Sequence, residues 1–229
     1  MKTKATCIYC GSSANSVDHV PPRCFLEKPF PENLSTVPAC IECNNHFSQH
    51  EQYAIALLAQ IGTSPALAAK IDEGGSVARA FERAPAFEKR FLDRMEADSD
   101  GRLFIAAESA RLNLVFRKLA CGFYYLRYKK RLALNDLGPT GFWSINIKCD
   151  VPQEAVMPTY TERFQAKKWT IAQEKVFKYM FAKSGDGHLA CIINWHDTFW
   201  IMCYVPWPKQ DKTRIRRSAP ASNQLKFSI

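Results

Sequence analysis

Two Cys-x-x-Cys motifs near the N-terminus, Cys7–Cys10 and Cys40–Cys43, constrain the fold of this chain more than any other feature. Each two-residue spacer lets the backbone turn so that both sulfurs reach one ion, and a tetrahedral structural Zn²⁺ requires four such ligands. Residues 1–50 are rich in Cys, His, Pro and Asn, and they are too short and too polar to bury a large core. We therefore predict that a structural zinc ion holds this segment folded.

An alternative is two unrelated reduced pairs, with Cys24 or another cysteine taking part in redox chemistry. Cys24 itself is most simply a small buried residue. The remaining cysteines lie in helix or strand patterns and are typical of core positions: Cys121, Cys149, Cys191 and Cys203.

Composition restricts the class of protein. The chain has 229 residues, of which 47% are hydrophobic, and it contains no run of 18 uncharged apolar residues, so no membrane span is expected. The first residues, MKTKATCIYC, lack the apolar core of a signal peptide, which predicts a reducing, cytoplasmic location. A net charge of +9 favours attraction to polyanions. Residues 209–229 predict a flexible basic tail, whose alternative is a solvated terminus that only aids solubility.

Periodicity predicts helices in the middle of the chain. From about Asn44 onward, apolar residues recur at helical spacing: Phe47, Ala54, Leu57, Leu58 and Ile61. Ser64 followed by Pro65 is a helix start signal, and a helix over 76–97 should break near Pro85. The strongest helix, over 108–132, carries an apolar stripe of Leu112, Val115, Phe116, Leu119, Phe123 and Leu126. Its basic residues, which include Lys118, are assigned mostly to a solvated face, with DNA binding as the alternative.

Strand patterns follow residue 139. FWSINIKCDVP alternates, and the stretch from Lys175 to Trp207 predicts three strands with turns at SGDG and near His196. The predicted fold class is α+β, in four parts. These are a zinc-bound N-terminal segment (1–60), a helical region (61–138), a small antiparallel sheet (139–208) and the tail (209–229). Protein partners or self-association are assigned to the C-terminal region.

A second group of polar residues lies between and beside the cysteines. Asp18 and His19 fall between the two pairs, and Asn44 follows Cys43 directly. A zinc ion that joins the two ends of this loop would bring the strand with Asp18 and His19 against the helix that opens at Asn44. Carboxylate and amide oxygens suit Mg²⁺ or Mn²⁺, and a neutral imidazole can accept a proton from water near neutral pH.

This order of motifs resembles the HNH endonuclease family, with its ββα-metal, treble-clef-like nuclease core. The residues that carry the resemblance are Cys7–Cys10, Asp18-His19-Val20-Pro21-Pro22, Glu32-Asn33-Leu34 and Val37 through Asn44. They cover about the first 55 residues, a quarter of the chain.

The resemblance implies a role for each position. His19 would be the general base, and Asp18 and Asn44 would hold one catalytic Mg²⁺ or Mn²⁺. Asn33 matches a family residue that bonds to backbone near the catalytic histidine and fixes its ring. The four cysteines match the zinc-stapled members of the family.

The chain also departs from the family pattern. Many zinc-stapled members continue Cys-Asn-x-x-Lys-Gly, whereas this sequence has CNNHFSQHEQY. His46 and His50 could form a second metal site, although a solvent-facing pair is the simpler interpretation. Glu51 falls on the helix face of Asn44 and could support the catalytic metal, or could be an exposed helix glutamate. Arg23 and Lys28 are candidate phosphate contacts or solvated loop residues.

The predicted function is a metal-dependent endonuclease that hydrolyses DNA, in the context of mobile elements or defence against phage by analogy with the family. The alternative is a non-catalytic zinc module that binds nucleic acid or protein, with Asp18 and His19 structural.

Overall fold

Residues 5–62, 64–101, 103–137, 140–144, 164–165, 168–184, 189–205 and 226–228 are described by the structure, a computed structural model. Within these ranges a two-stranded N-terminal sheet is followed by a run of helices and then by a six-stranded antiparallel sheet. The fold is therefore mixed helix and sheet, as the sequence predicts.

The N-terminal segment forms a β-β-α arrangement. Strand β1 (Ser16–His19) pairs antiparallel with β2 (Thr36–Ala39), and helix α1 (Ile41–Ile61) follows directly. The helix begins three residues before the predicted Asn44, because the sulfur of Cys40 accepts a hydrogen bond from the Cys43 amide and caps the first turn. Its predicted apolar face is buried: Phe47, Ala54, Leu57, Leu58 and Ile61.

Three short helices follow α1. Helix α2 (Pro65–Ile71) is capped by the Ser64 side chain, which accepts a hydrogen bond from the Leu67 amide. Helices α3 (Ser76–Arg83) and α4 (Pro85–Leu92) are separated at the predicted break. The helix start at Ser64–Pro65 and the break at Pro85 are therefore as predicted, because proline fits the first turn of a helix and interrupts a longer one.

The sequence predicts that the helix continues to residue 97, but α4 ends at Leu92, so the prediction is wrong over the last five residues. Met95–Ala97 form strand β3, which pairs with β4 (Leu103–Ala106), and β4 also pairs with β11 (Lys226–Ser228). The turn between β3 and β4 contains Gly101 at φ +75°. A left-handed glycine and a strand partner in β4 override the helical propensity of the segment.

Helix α5 (Ser109–Tyr128) is the central helix of the core. Its predicted stripe packs inward, with Leu126 half-buried and the other five residues buried. The assignment of Lys118 to a solvated face is wrong, because this side chain is 1% exposed. No helix in the described part of the chain has the length and apolar character needed to cross a bilayer.

The C-terminal sheet has the strand order β5-β10-β9-β8-β6, with β7 also pairing with β8. Its strands are β5 (Thr140–Ser144), β6 (Phe164–Gln165), β7 (Thr170–Gln173), β8 (Phe177–Ser184), β9 (Leu189–Trp195) and β10 (Phe199–Val205). The three predicted strands correspond to β8, β9 and β10. The turn at His196 and Asp197 has positive φ at both residues. The SGDG turn, most of the segment after Ser144, and the basic tail up to residue 225 lie outside the described residues.

One hydrophobic cluster runs from Cys7 to Val205, so the N-terminal segment shares its interior with α5 and the C-terminal sheet. Polar contacts reinforce this connection at the loop after β1. The indole nitrogen of Trp195 donates to the carbonyl of Phe25 at 2.7 Å, and the ammonium of Lys70 lies 2.8 Å from Glu27. The N-terminal segment that carries the four cysteines is therefore held in place by contacts with the rest of the chain.

Gly122 allows α5 to approach the end of β1. A Cβ atom at this position would lie 2.7 Å from both γ-carbons of the buried Val20. Gly122→Ala should therefore lower the free energy of unfolding by about 1–3 kcal/mol, although alanine in a helix interior normally stabilises by about 1 kcal/mol. Urea unfolding measures the difference. In a Val20→Ala background the cost should disappear, and a Gly122→Ala protein as stable as wild type would contradict this packing.

Candidate metal centre and the Asp18–Asn44 site

The four predicted zinc ligands come together in space. The sulfur atoms of Cys7, Cys10, Cys40 and Cys43 all lie within 4.8 Å of one another, and those of Cys10 and Cys40 are 3.6 Å apart. Tetrahedral zinc with Zn–S bonds of about 2.3 Å places its sulfurs about 3.8 Å apart. This cluster can bind a metal ion such as zinc.

Local hydrogen bonds shape the first cysteine pair. The Gly11 amide donates to the carbonyl of Cys7 at 3.0 Å, and the Cys7 amide donates to Ser12 at 2.8 Å. Gly11 has φ +87°, a conformation that glycine adopts without strain. The Ile8 amide donates to Pro38 in β2, two residues before Cys40. Strand β2 thus brings the first pair to the second.

Arg131, which follows α5, also contacts this turn. Its guanidinium donates to the carbonyls of Ile8 and Tyr9, both at 3.1 Å. These carbonyls belong to the spacer between Cys7 and Cys10. Nothing in the local sequence KKRL distinguishes Arg131 from its basic neighbours, because the contact spans more than 120 residues.

The thiols of this cluster differ in how readily they ionise. Hydrogen bonding with Ser12 lowers the pKa of the Cys10 thiol to about 6. Burial raises the pKa of Cys43, and its hydrogen bonds with Cys40 and Cys10 raise it further. A divalent ion among the four sulfurs would favour the thiolate at each position, and soft sulfur donors suit zinc.

Asp18 is buried in a network of charged side chains. It is 5% exposed, and its Oδ2 accepts a hydrogen bond from the Tyr9 hydroxyl at 2.6 Å. The same oxygen lies 2.7 Å from the ammonium of Lys118, which also contacts Glu51. No local sequence pattern indicates Lys118 or Tyr9 as a neighbour of Asp18.

Glu51 lies on the helix face that the sequence predicts, two turns after Asn44. It is 8% exposed, so the alternative of an exposed helix glutamate is wrong. Its partner is Lys118 on α5, and burial raises the pKa of the Glu51 carboxyl while the ammonium opposes this shift. Removing one partner of such a buried pair typically costs about 3–5 kcal/mol.

Asn44 joins the first turn of α1 to strand β1. Its side-chain nitrogen donates to the carbonyl of Val17 at 3.2 Å and to the hydroxyl of Ser16 at 3.3 Å. The donor half of the amide is therefore used by β1, and the carbonyl oxygen is the half that can act as a ligand. The second cysteine pair thus fixes Asn44 beside the strand that carries Asp18 and His19.

His19 ends β1, opposite Thr36, and is half-buried. Its Nδ1 is buried, and no described residue hydrogen bonds to that atom. Burial lowers the pKa of the imidazole, and the positive charge of Arg23 lowers it further, so the neutral form is favoured. Among the described residues, no hydrogen bond joins His19 to Asp18 or Asn44, and neighbouring strand residues project to opposite faces.

Asn33 does not make the predicted contact. Its side chain is exposed, and no hydrogen bond joins it to His19 or to another residue in the described ranges. The loop is instead held further upstream, where Gln173 bonds to the amide and carbonyl of Glu27. This attachment to the C-terminal sheet could not be read from the first 55 residues.

His46 and His50, the candidate second metal site, differ in their exposure and in their contacts. His46 is exposed, whereas Nδ1 of His50 accepts a hydrogen bond from Arg111 at 3.2 Å. The two rings lie 4.8 Å apart, and no third metal-ligating side chain joins them among the described residues. His50 therefore joins α1 to α5 through Arg111, while His46 lies on the exposed side of α1.

The remaining candidate residues lie around the loop after β1. Arg23 and Lys28 are exposed, and the Arg23 guanidinium lies 5.8 Å from the ring of Phe30. Cys24 is half-buried, and burial raises the pKa of its thiol. His196 packs near Glu27, and His188 lies outside the described residues.

Comparison with known proteins does not assign a family. No family model, no curated protein and no solved structure matches the chain.

The cysteine cluster predicts about one zinc ion per chain. Cys40→Ser should release that zinc and unfold the N-terminal segment, because the ligand also caps α1. Elemental analysis and urea unfolding measure both effects. Cys191→Ala, in β9 and outside the cluster, is the matched control and should keep the zinc. Well-folded wild-type protein without zinc would refute the four-thiolate site.

Proposed function

We propose that this protein is a divalent-metal-dependent endonuclease of the HNH type. One observation supports this most directly. Beside the cysteine cluster, the Asn44 side chain donates to the carbonyl of Val17, the residue immediately before Asp18 and His19. The strand and the helix that carry the three expected site residues are thereby joined at that point.

His19 is suited to act as the general base. Hydrolysis of a phosphodiester needs a water molecule that loses a proton as it attacks phosphorus. A half-buried, neutral imidazole can accept this proton near neutral pH, and the pKa shift of His19 favours that form. The cost of the buried, unpaired Nδ1 is also easier to explain at a functional site than in a packed core.

Asp18 and Asn44 would hold Mg²⁺ or Mn²⁺. Both offer hard oxygen donors, and both are already oriented: Asp18 through its Oδ2, and Asn44 through its nitrogen. The Oδ1 atom of Asp18 and the carbonyl oxygen of Asn44 remain as the ligand atoms. The bound ion would supply charge stabilisation for the phosphate and the leaving oxygen.

The charge of the chain supports a nucleic acid as substrate, and the proposal is DNA. The formal net charge is +9, which attracts a polyanion in a salt-dependent manner. Two exposed cationic side chains, Arg23 and Lys28, lie in the loop that follows His19. They are the described groups best placed in sequence to contact phosphates beside the site.

One observation favours a second function, a zinc module that binds nucleic acid or protein without cleaving. Lys118 already supplies a cation to Asp18, at 2.7 Å from Oδ2. If that ion pair is the whole role of Asp18, no divalent metal is needed and the carboxylate is structural.

Cleavage of a supercoiled plasmid with Mg²⁺ or Mn²⁺ distinguishes these functions. Wild type should nick or linearise the DNA, and His19→Ala should lower the rate by about 10²–10⁴-fold, the usual contribution of a general base. His46→Ala is the matched control, because it removes an exposed histidine of the same segment. It should leave the rate unchanged.

Equal cleavage by wild type and His19→Ala would refute the assignment of the base. Absence of cleavage with every metal, together with salt-dependent DNA binding, would support the non-catalytic module. Chelation of the divalent ion should stop cleavage while the zinc content stays constant.

A further inference from the structure

Lys118 is the most enclosed charged side chain of the described residues. Its ammonium contacts two carboxylates, those of Asp18 on β1 and Glu51 on α1. It also lies 5.6 Å from the ring centre of Phe47 and 6.0 Å from that of Tyr9. Two carboxylates, an ammonium, a phenol and two aromatic faces thus meet where β1, α1 and α5 adjoin.

We infer that Lys118 and Glu51 are positioning residues that hold Asp18 ready for the divalent ion, an inference that rests on the proposed function. Two donors from different parts of the chain, Tyr9 and Lys118, converge on Oδ2 of Asp18. A carboxylate held in this way cannot rotate freely about its last torsion. Its other oxygen, Oδ1, is therefore presented in a defined direction.

Glu51 keeps the site negatively charged. Lys118 alone would cancel the charge of Asp18, and its ammonium would repel a divalent ion bound on the opposite oxygen. Glu51 neutralises that ammonium, so the three side chains together retain one negative charge in their ionised forms. Lys118 therefore orients the metal ligand without removing the charge that attracts the metal.

A purely structural ion pair does not require this second carboxylate. Lys70 provides the comparison within the same protein, since it is 6% exposed and its carboxylate partner in the described chain is Glu27 alone, at 2.8 Å. Burying an additional carboxylate is costly unless it is compensated. The excess negative charge at Lys118 lies at the residue expected to bind a cation, and it is absent at Lys70.

Mn²⁺ binding to the full-length, zinc-loaded protein tests the inference, measured by the loss of the free-ion electron paramagnetic resonance signal. Glu51→Gln should weaken binding by about tenfold, the lower end of the effect of changing a residue that supports a metal ligand. The double variant Lys118→Met/Glu51→Gln restores the net charge, so its affinity should return to within about threefold of wild type. Lys70→Met is the matched control and should bind Mn²⁺ as wild type does.

The rate of plasmid cleavage at saturating Mn²⁺ separates the effect on the orientation of Asp18 from the effect on the net charge of the site. At saturating Mn²⁺ the double variant should cleave plasmid about tenfold or more slowly than wild type, because Asp18 has lost one of its two donors. Lys118→Met alone leaves two buried carboxylates without a cation and is expected to fold poorly. The double variant avoids this problem, and its folding is checked by urea unfolding against wild type.

Two results would overturn the inference while leaving the proposed nuclease intact. These are equal Mn²⁺ affinity in wild type and Glu51→Gln, or a double variant as weak as Glu51→Gln, in a protein whose cleavage still depends on His19. If wild type neither binds Mn²⁺ nor cleaves DNA, the proposed function fails and this inference fails with it.

Discussion

Four sulfur atoms that lie within 4.8 Å of one another form a cluster where a metal ion could join two parts of the chain about thirty residues apart. The segment they join contributes to the same hydrophobic cluster as α5 and the C-terminal sheet, so both a metal ion and the neighbouring elements can offset its entropy of ordering. Cys40 shows how closely these demands are combined. Its sulfur belongs to the cluster and caps α1. Asn44 follows Cys40 within the first turn of that helix.

Helix α5 and the residues after it also contact the N-terminal segment that carries the cysteines. Lys118 reaches Asp18, Gly122 leaves space for Val20, and Arg131 holds the spacer between the first two cysteines. These contacts join residues that are about one hundred or more positions apart. The cysteine-stapled segment is thus part of a single interior, and its site residues depend on packing with the helical region.

The charges around Asp18 make the two proposed functions physically distinct. An ammonium paired with a single carboxylate has no net charge, and such a neutral ion pair does not attract a further cation. With all three groups ionised, Glu51 on the same ammonium leaves one uncancelled negative charge in a site of low exposure. Low exposure strengthens electrostatic interactions, so this one carboxylate has a large influence on whether Asp18 can hold a metal.

The sequence by itself determined the features that depend on neighbouring residues. The spacing within each cysteine pair, the Ser64 cap, the break at Pro85 and the apolar stripe of α5 can all be recognised from residues a few positions apart. Periodicity likewise predicted the three long strands of the C-terminal sheet.

Only the tertiary structure decided which partner each polar group found. Lys118 was assigned to solvent because a lysine beside an apolar stripe usually lies there, yet two distant carboxylates stabilise it in the core. Asn33 is exposed, and the loop that carries it is attached further upstream, where Gln173 of β7 bonds to Glu27. Such choices depend on long-range pairing, whose energy is absent from any local pattern of residues.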